Sequence, residues 1–186
     1  MFKSRLNSFP GLLLACCVML VPVTTHATTA AEIDASVSRA LAAFHSDVDG
    51  ADAYLKEARG VLIVPDVRKI GLLVAAQWGT GALQVGGRTV DYYRMDAGSA
   101  GFQAGYQKTD FVFIFFTDEA LDKFRAGNGW TAGAETGLTL VKIGAGITVD
   151  TLKNQNAVAG FAFGKEGLMG GWSAKGTKFS PVELGR

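Results

Sequence analysis

Apolar residues keep two different periods along this chain. Ile33, Val37, Leu41 and Phe44 fall on one stripe of residues 30–45, while Glu32, Asp34, Ser38 and Arg39 lie off it, which predicts an amphipathic helix. A second helix is predicted over 51–58, after the DVDG turn, with Tyr54 and Leu55 docking it on the core. It stops before Gly60, whose missing Cβ suits a left-handed cap. Beyond Gly60 the period becomes that of strands. Residues 61–64 and 70–75 are short apolar runs split by Pro65-Asp66, a break in a ladder because proline has no N–H, and are expected as consecutive strands. Residues 83–85 and 88–94 flank Gly86-Gly87, a two-residue hairpin signal. The run DFVFIFF (110–116) is apolar on both alternations, so both its faces should be buried. Thr117 or Asp118 can cap a mid-chain helix that turns Leu121 and Phe124 inward and ends at Gly127. Further strands are expected at 130–143, 146–149, 157–163, 168–173 and 178–182. The fold class that follows is α+β: a strongly curved, mostly antiparallel β-sheet, barrel-like or sandwich-like, with N-terminal helices and one mid-chain helix. The 24 glycines support the curvature, since glycine in strands marks bulges and close backbone approach.

Four phrases stand in a recognisable order: GVLIVPDVRKIG (60–71), GTGALQVGGRTVDYY (79–93), GFQAGYQKTDFVFIFFTDEALDKFRAGNGWTAGAE (101–135) and GLMGGWSAKGTK (167–178). Together they resemble the SYLF domain, also called the Ysc84 actin-binding domain, in the form that bacteria export. The resemblance covers residues 28–186 as one domain. It implies a non-catalytic lipid-binding protein of the cell envelope. Eukaryotic members bind phosphoinositide-containing membranes and, in some cases, actin. For an exported form the resemblance implies an anionic phospholipid or another amphiphile instead, and actin is not expected.

The first residues are read as a targeting segment. Lys3 and Arg5 form a positive start, residues 11–23 are apolar apart from Pro22, and Thr25-His26-Ala27 supplies a small-residue cleavage site. Residues 1–27 are therefore expected to be a signal peptide, removed after Ala27, leaving a periplasmic or secreted protein. The alternative is a lipoprotein anchored through Cys16, because Leu13-Leu14-Ala15-Cys16 approximates a lipobox. Bulky Leu14 and the apolar CVMLVPV that follows count against it. Cleavage after Ala27 would remove both cysteines and leave 16 basic residues against 17 acidic ones, because Lys3 and Arg5 are two of the 18 Lys and Arg in the chain. That balance does not suggest nucleic acid, which calls for a basic face.

The residues that could carry chemistry do not assemble into a reaction. Gly79-Thr80-Gly81 lacks the third glycine of a dinucleotide fingerprint, and Gly164-Lys165 is followed by Glu166 where a phosphate-binding loop needs Ser or Thr. Ser99 lacks the glycine spacing of a nucleophile elbow, and the His available to it, His45, lies in the helical opening. Asp118, Glu119 and Asp122 open a helix, where acids meet the positive end of its dipole. No catalytic residue, metal ligand or cofactor is expected.

Binding to a membrane surface has candidate residues. Lys56, Arg59, Arg68 and Lys69 would form a head-group cluster if the second helix folds back on the turn of the first strand, with Arg39 adding a cation from the first helix. Ile33, Val37, Leu41 and Phe44 could supply an apolar contact in the interfacial plane. Trp78, Trp130 and Trp172 could anchor at an interface, although core packing explains each as well. The competing class is a structural or protein-interaction module with an envelope protein as partner, received at a sheet edge, and an enzyme is a distant third.

Overall fold

The computed structural model describes residues 28–71, 74–100, 105–127, 129–132, 136–141, 146–164 and 176–184. Helices α1 (Ala30–Asp47) and α2 (Ala51–Lys56) precede β1 (Gly60–Gly71), β2 (Val74–Val85), β3 (Arg88–Ala100) and β4 (Gly105–Phe115). There follow α3 (Asp118–Arg125), β5 (Trp130–Thr131), β6 (Leu138–Val141), α4 (Val149–Gln155), β7 (Val158–Phe163) and β8 (Lys178–Pro181). The strands form one sheet in the order β5-β8-β3-β2-β1-β4-β7-β6, antiparallel throughout except for the parallel β6–β7 pair. The expected α+β class with a curved, mostly antiparallel sheet is the architecture found, as a half-barrel.

Aromatic contacts measure the curl. β4 and β8 are separated in the sheet by β1, β2 and β3. At about 4.8 Å per strand a flat sheet would hold them roughly 19 Å apart. Yet the rings of Phe113 and Phe179 meet edge to face with centroids 5.1 Å apart. The face carrying Phe111, Phe113 and Phe115 is therefore concave, and it closes over its own core with Leu62, Val64, Met95, Phe124 and Phe179. Residues of opposite alternation, Ile63, Ala82, Val112, Ile114 and Phe161, face the convex side. There α1 covers them with Ile33, Val37, Ala40 and Phe44. All six residues from Phe111 to Phe116 are buried, as their double alternation predicts.

Local signals place the helices. Thr29 and Glu32 form a capping box at the start of α1: the Thr29 Oγ1 accepts from the Glu32 N–H at 3.3 Å, and the Thr29 N–H donates to Glu32 Oε2 at 2.8 Å. The Asp34 carboxylate then pins the helix to β3, accepting from Thr89 Oγ1 and Tyr92 OH, each at 3.0 Å. Burial first, then the bond to Asp34, holds the Tyr92 phenol above its ordinary pKa. Thr117 caps α3. Gly86 and Gly87 both take positive φ, 58° and 75°, in the hairpin between β2 and β3.

Several sequence-based expectations need correction. Residues 61–71 are one strand rather than two, because β2 and β4 both keep pairing across Pro65-Asp66 and absorb an extra residue there as a bulge. Gly60 is not a helix cap; it starts β1, and a Cβ on it would stand 2.7 Å from Leu121 Cδ1. The run 130–143 supplies two short strands at opposite edges of the sheet. Residues 146–149 are not a strand: Thr148 caps α4 by accepting from the Thr151 N–H. The strand expected at 168–173 lies outside the described residues.

Candidate binding surface around the bulge of the first strand

The bulge fixes where functional side chains point. Val64 and Val67 both face the concave core. Between them the chain spends two residues, Pro65 and Asp66, where β4 offers only Asp110. Proline needs no ladder partner for its nitrogen, and Asp66 takes φ 51°, a left-handed conformation that short polar side chains tolerate better than most. The Asp66 N–H donates to Asp110 Oδ1 at 2.8 Å, and Lys108 Nζ reaches Asp66 Oδ1 at 3.3 Å. Burial pushes the half-buried Asp110 carboxyl above its ordinary pKa; the bond from the Asp66 N–H opposes this.

A groove flanks the bulge on each side. One, of about 640 Å³, runs between the first half of α1 and strands β1 and β2, and its lining includes Glu32, Ser36, Arg39, Asp66, Arg68 and Trp78. The other, of about 530 Å³, includes Ser36, Arg39, Asp47, Asp66, Lys108 and Asp110. Arg39 stands at both, its guanidinium donating to Ser36 Oγ at 2.9 Å. In the first groove, Arg39 and Arg68 can hold an anionic group beside the apolar body of Trp78. Glu32 and Asp66 offer the opposite sign to an amine on the same molecule.

The structure divides the cations expected to cluster. Arg39 and Arg68 share the first groove. Lys56 ends α2 and Arg59 precedes β1, with Arg59 Nε 3.7 Å from Asp118 Oδ2. Nine residues of strand separate Arg59 from Arg68, roughly 30 Å at 3.3 Å per residue. The helix therefore does not bring the two pairs together. Lys69 follows the alternation to the concave side and is buried, while Arg68 is exposed on the convex one.

The apolar stripe of α1 is also placed differently from a membrane contact. Ile33, Val37 and Phe44 are buried against the sheet and Leu41 packs beside them, so contact with lipid would require the helix to leave its core. Trp78 is partly exposed at the groove, and Trp130 packs between Phe124 and Phe179. Trp172 lies outside the described residues. Sequence reasoning missed Lys108, Tyr106 and Ile70. The alternation in YQK and RKI hints at them, but their meeting across β1 and β4 depends on register.

Among the described residues, no three His, Cys, Asp or Glu groups are placed to hold a metal ion, and no helix is long and apolar enough to cross a membrane. His45 Nδ1 lies 2.9 Å from Asp52 on the exposed surface of the helical pair. Residues 96–183 match the family model Ysc84, described as Las17-binding protein actin regulator. They run from the second half of β3 through β8. A comparison with curated proteins finds no match.

Proposed function

We propose, from the match of residues 96–183 to the Ysc84 family model, that this chain binds an amphiphile, an anionic phospholipid foremost, at a membrane surface of the bacterial envelope. The observation that carries this reading is the groove lined by Arg39, Arg68 and Trp78. Two guanidiniums suit a phosphate, since each presents a planar fork of donors, and the indole offers an apolar wall to the first carbons below a head group. Glu32 and Asp66 at the same groove favour a head group that also bears an amine. The reading includes export with cleavage after Ala27, and binding without catalysis. The proposal does not include actin as a partner.

Liposome co-sedimentation at low and moderate salt tests it, using protein recovered from cells, whose intact mass separates cleavage after Ala27 from a diacylated Cys16. Each cation near an anionic surface contributes about 1 kcal/mol, so Arg39→Glu with Arg68→Glu should weaken binding by about tenfold or more. Lys56→Glu with Arg59→Glu, at the other end of β1, should act several times less. Equal loss from both pairs would remove the groove from the reading. No binding by the native protein to any lipid tested would leave the envelope interaction module in its place.

A further inference from the structure

Beyond the bulge, no helix among the described residues buries Arg68, Ile70, Tyr106 or Lys108, which stand exposed on the convex face, and register sorts the side chains there into two bands. Across β4, β1, β2 and β3, one row is Tyr106, Ile70, Ala76 and Gly98. Tyr106 and Ile70 are directly paired, and at 51% and 49% exposure they are the two most exposed large apolar side chains among the described residues. One step inward, the next row is Lys108, Arg68, Trp78, Asp96 and Lys178. Two residues of strand separate the rows, about 6.6 Å.

We propose that this part of the convex face is the surface that docks on an anionic bilayer, with Tyr106 and Ile70 as its apolar contacts. The inference rests on the lipid-binding reading above and names its membrane-facing surface. Its first argument is charge. Arg68 and Lys108 are exposed and stand directly opposite each other in the ladder, where like charges destabilise a sheet; Asp66 pairs with Lys108, so Arg68 is the cation an outside anion would meet. On this face Arg68, Arg94, Lys108 and Lys178 stand against Asp66, Asp96 and the half-buried Asp110, and the exposed ion pairs Lys108–Asp66 and Arg94–Asp96 leave Arg68 and Lys178 facing Asp110 alone. The second argument is the order of the bands. An apolar and aromatic row that enters the acyl boundary places a row of long cations at the depth of the phosphates, and a tryptophan between them suits the same interface. A protein partner of acidic character would take the cations but has no need of this layering. The groove holding Arg39 and Arg68 opens beside the same basic row through Trp78, so a lipid could pass from bilayer to groove along one face.

The test measures binding of the native protein, and of an Ile70→Ser, Tyr106→Ser variant, to two probes: vesicles of phosphatidylglycerol with phosphatidylcholine, and dodecyl phosphate below its micellar concentration. Neither substituted residue lines the groove, and both are half exposed, so circular dichroism should show the fold unchanged. The variant should lose about tenfold or more in vesicle affinity, the worth of two interfacial apolar contacts, and keep its affinity for dodecyl phosphate. A Lys108→Glu variant should lose a component that moderate salt also removes from the native protein. If native protein and the apolar variant bind vesicles equally, or if the native protein binds dodecyl phosphate but not vesicles, the docking face is overturned and the groove reading stands. If the native protein binds neither probe, the groove reading fails and the docking face with it.

Discussion

The two halves of β1 share one strand, one alternation and the same neighbours, yet they differ in what covers them. Before the bulge, Leu62 and Val64 enter the concave core while Ile63 enters the convex one under α1, and all three are fully buried. After it, Val67 and Lys69 remain buried on the concave side, but Arg68 and Ile70 stand exposed on the other. The comparison teaches that the concave core runs the length of the strand and the helical cover does not. Stability is therefore concentrated in the near half, while the far half leaves Arg68 and Ile70 exposed on one face.

Paired truncations on β4 offer the sharpest way to break that contrast. Phe113 is buried, stacks with Phe111 at 5.9 Å and meets Phe179 edge to face. Phe113→Ala should cost about 3–5 kcal/mol in denaturant melts, since it removes a large side chain from a core that cannot fully collapse. Tyr106→Ala, seven residues earlier on the same strand, should stay within about 0.5 kcal/mol. A cost above about 2 kcal/mol for Tyr106→Ala would mean that the far end is packed against something, and the idea of a bare docking face would go with it.

Glycine substitutions probe the same division through the backbone. A Cβ on Gly81 would lie 1.9 Å from the Ile63 carbonyl oxygen, so β1 and β2 approach there only because Gly81 has no side chain. Gly81→Ala should destabilise by about 1–3 kcal/mol as the bulge is forced to shift. Gly98, on the apolar row beyond the bulge, has nothing within 4 Å of its would-be Cβ, and Gly98→Ala should be neutral or slightly stabilising. Thermal melts of the two variants separate these outcomes, and a loss at Gly98 equal to that at Gly81 would contradict the open face.

Much of this division was legible in the chain. VLIV before Pro65-Asp66 is apolar on both alternations, and VRKI after it is not, which already announces cover on two faces and then on one. DFVFIFF, Gly86-Gly87 and the Thr117 cap were equally plain, because each acts through neighbours in sequence. The bulge was misread as a strand break because a missing N–H looks the same in both, and only the pairing of β2 and β4 across it decides. α4 was hidden by its length: Val149 and Leu152 give a single helical repeat, and Thr148 resembles any strand threonine. The candidate site was half legible. Arg68 and Arg39 were named, but Lys56 and Arg59 were joined to them on the assumption of a turn at Pro65, and the continuous, bulged strand sends them to its other end. Lys108 and Tyr106 could not be found from alternation alone, since they matter only through the register that seats them against Arg68 and Ile70.

The smallest expected effect concerns Asp110, which sits on the boundary between the two halves and accepts the Asp66 N–H that closes the bulge. Its folded pKa is raised, chiefly by burial; the Asp66 charge and Asp47 act in the same direction, and the Asp66 N–H and Arg39 oppose them. The sign follows from proton counting. Between the ordinary value of 3.8 and the raised folded value, the native state binds more protons than the unfolded one. Stability from this group therefore falls as pH rises through that window, and the deficit persists at neutral pH. Asp110→Asn retains an acceptor Oδ1 for the Asp66 N–H and removes the titration. The native protein should accordingly gain stability relative to the variant on acidification toward pH 4, and the variant should be at least as stable at pH 7. Urea melts of the two proteins across that range isolate the difference, because the exposed carboxylates of Glu57 and Glu119, held below their ordinary values by Lys153 and Lys123, cancel between them. A difference that does not change with pH would show that Asp110 is as well solvated as the open half of the sheet, and would move the boundary of the covered half back to Val64.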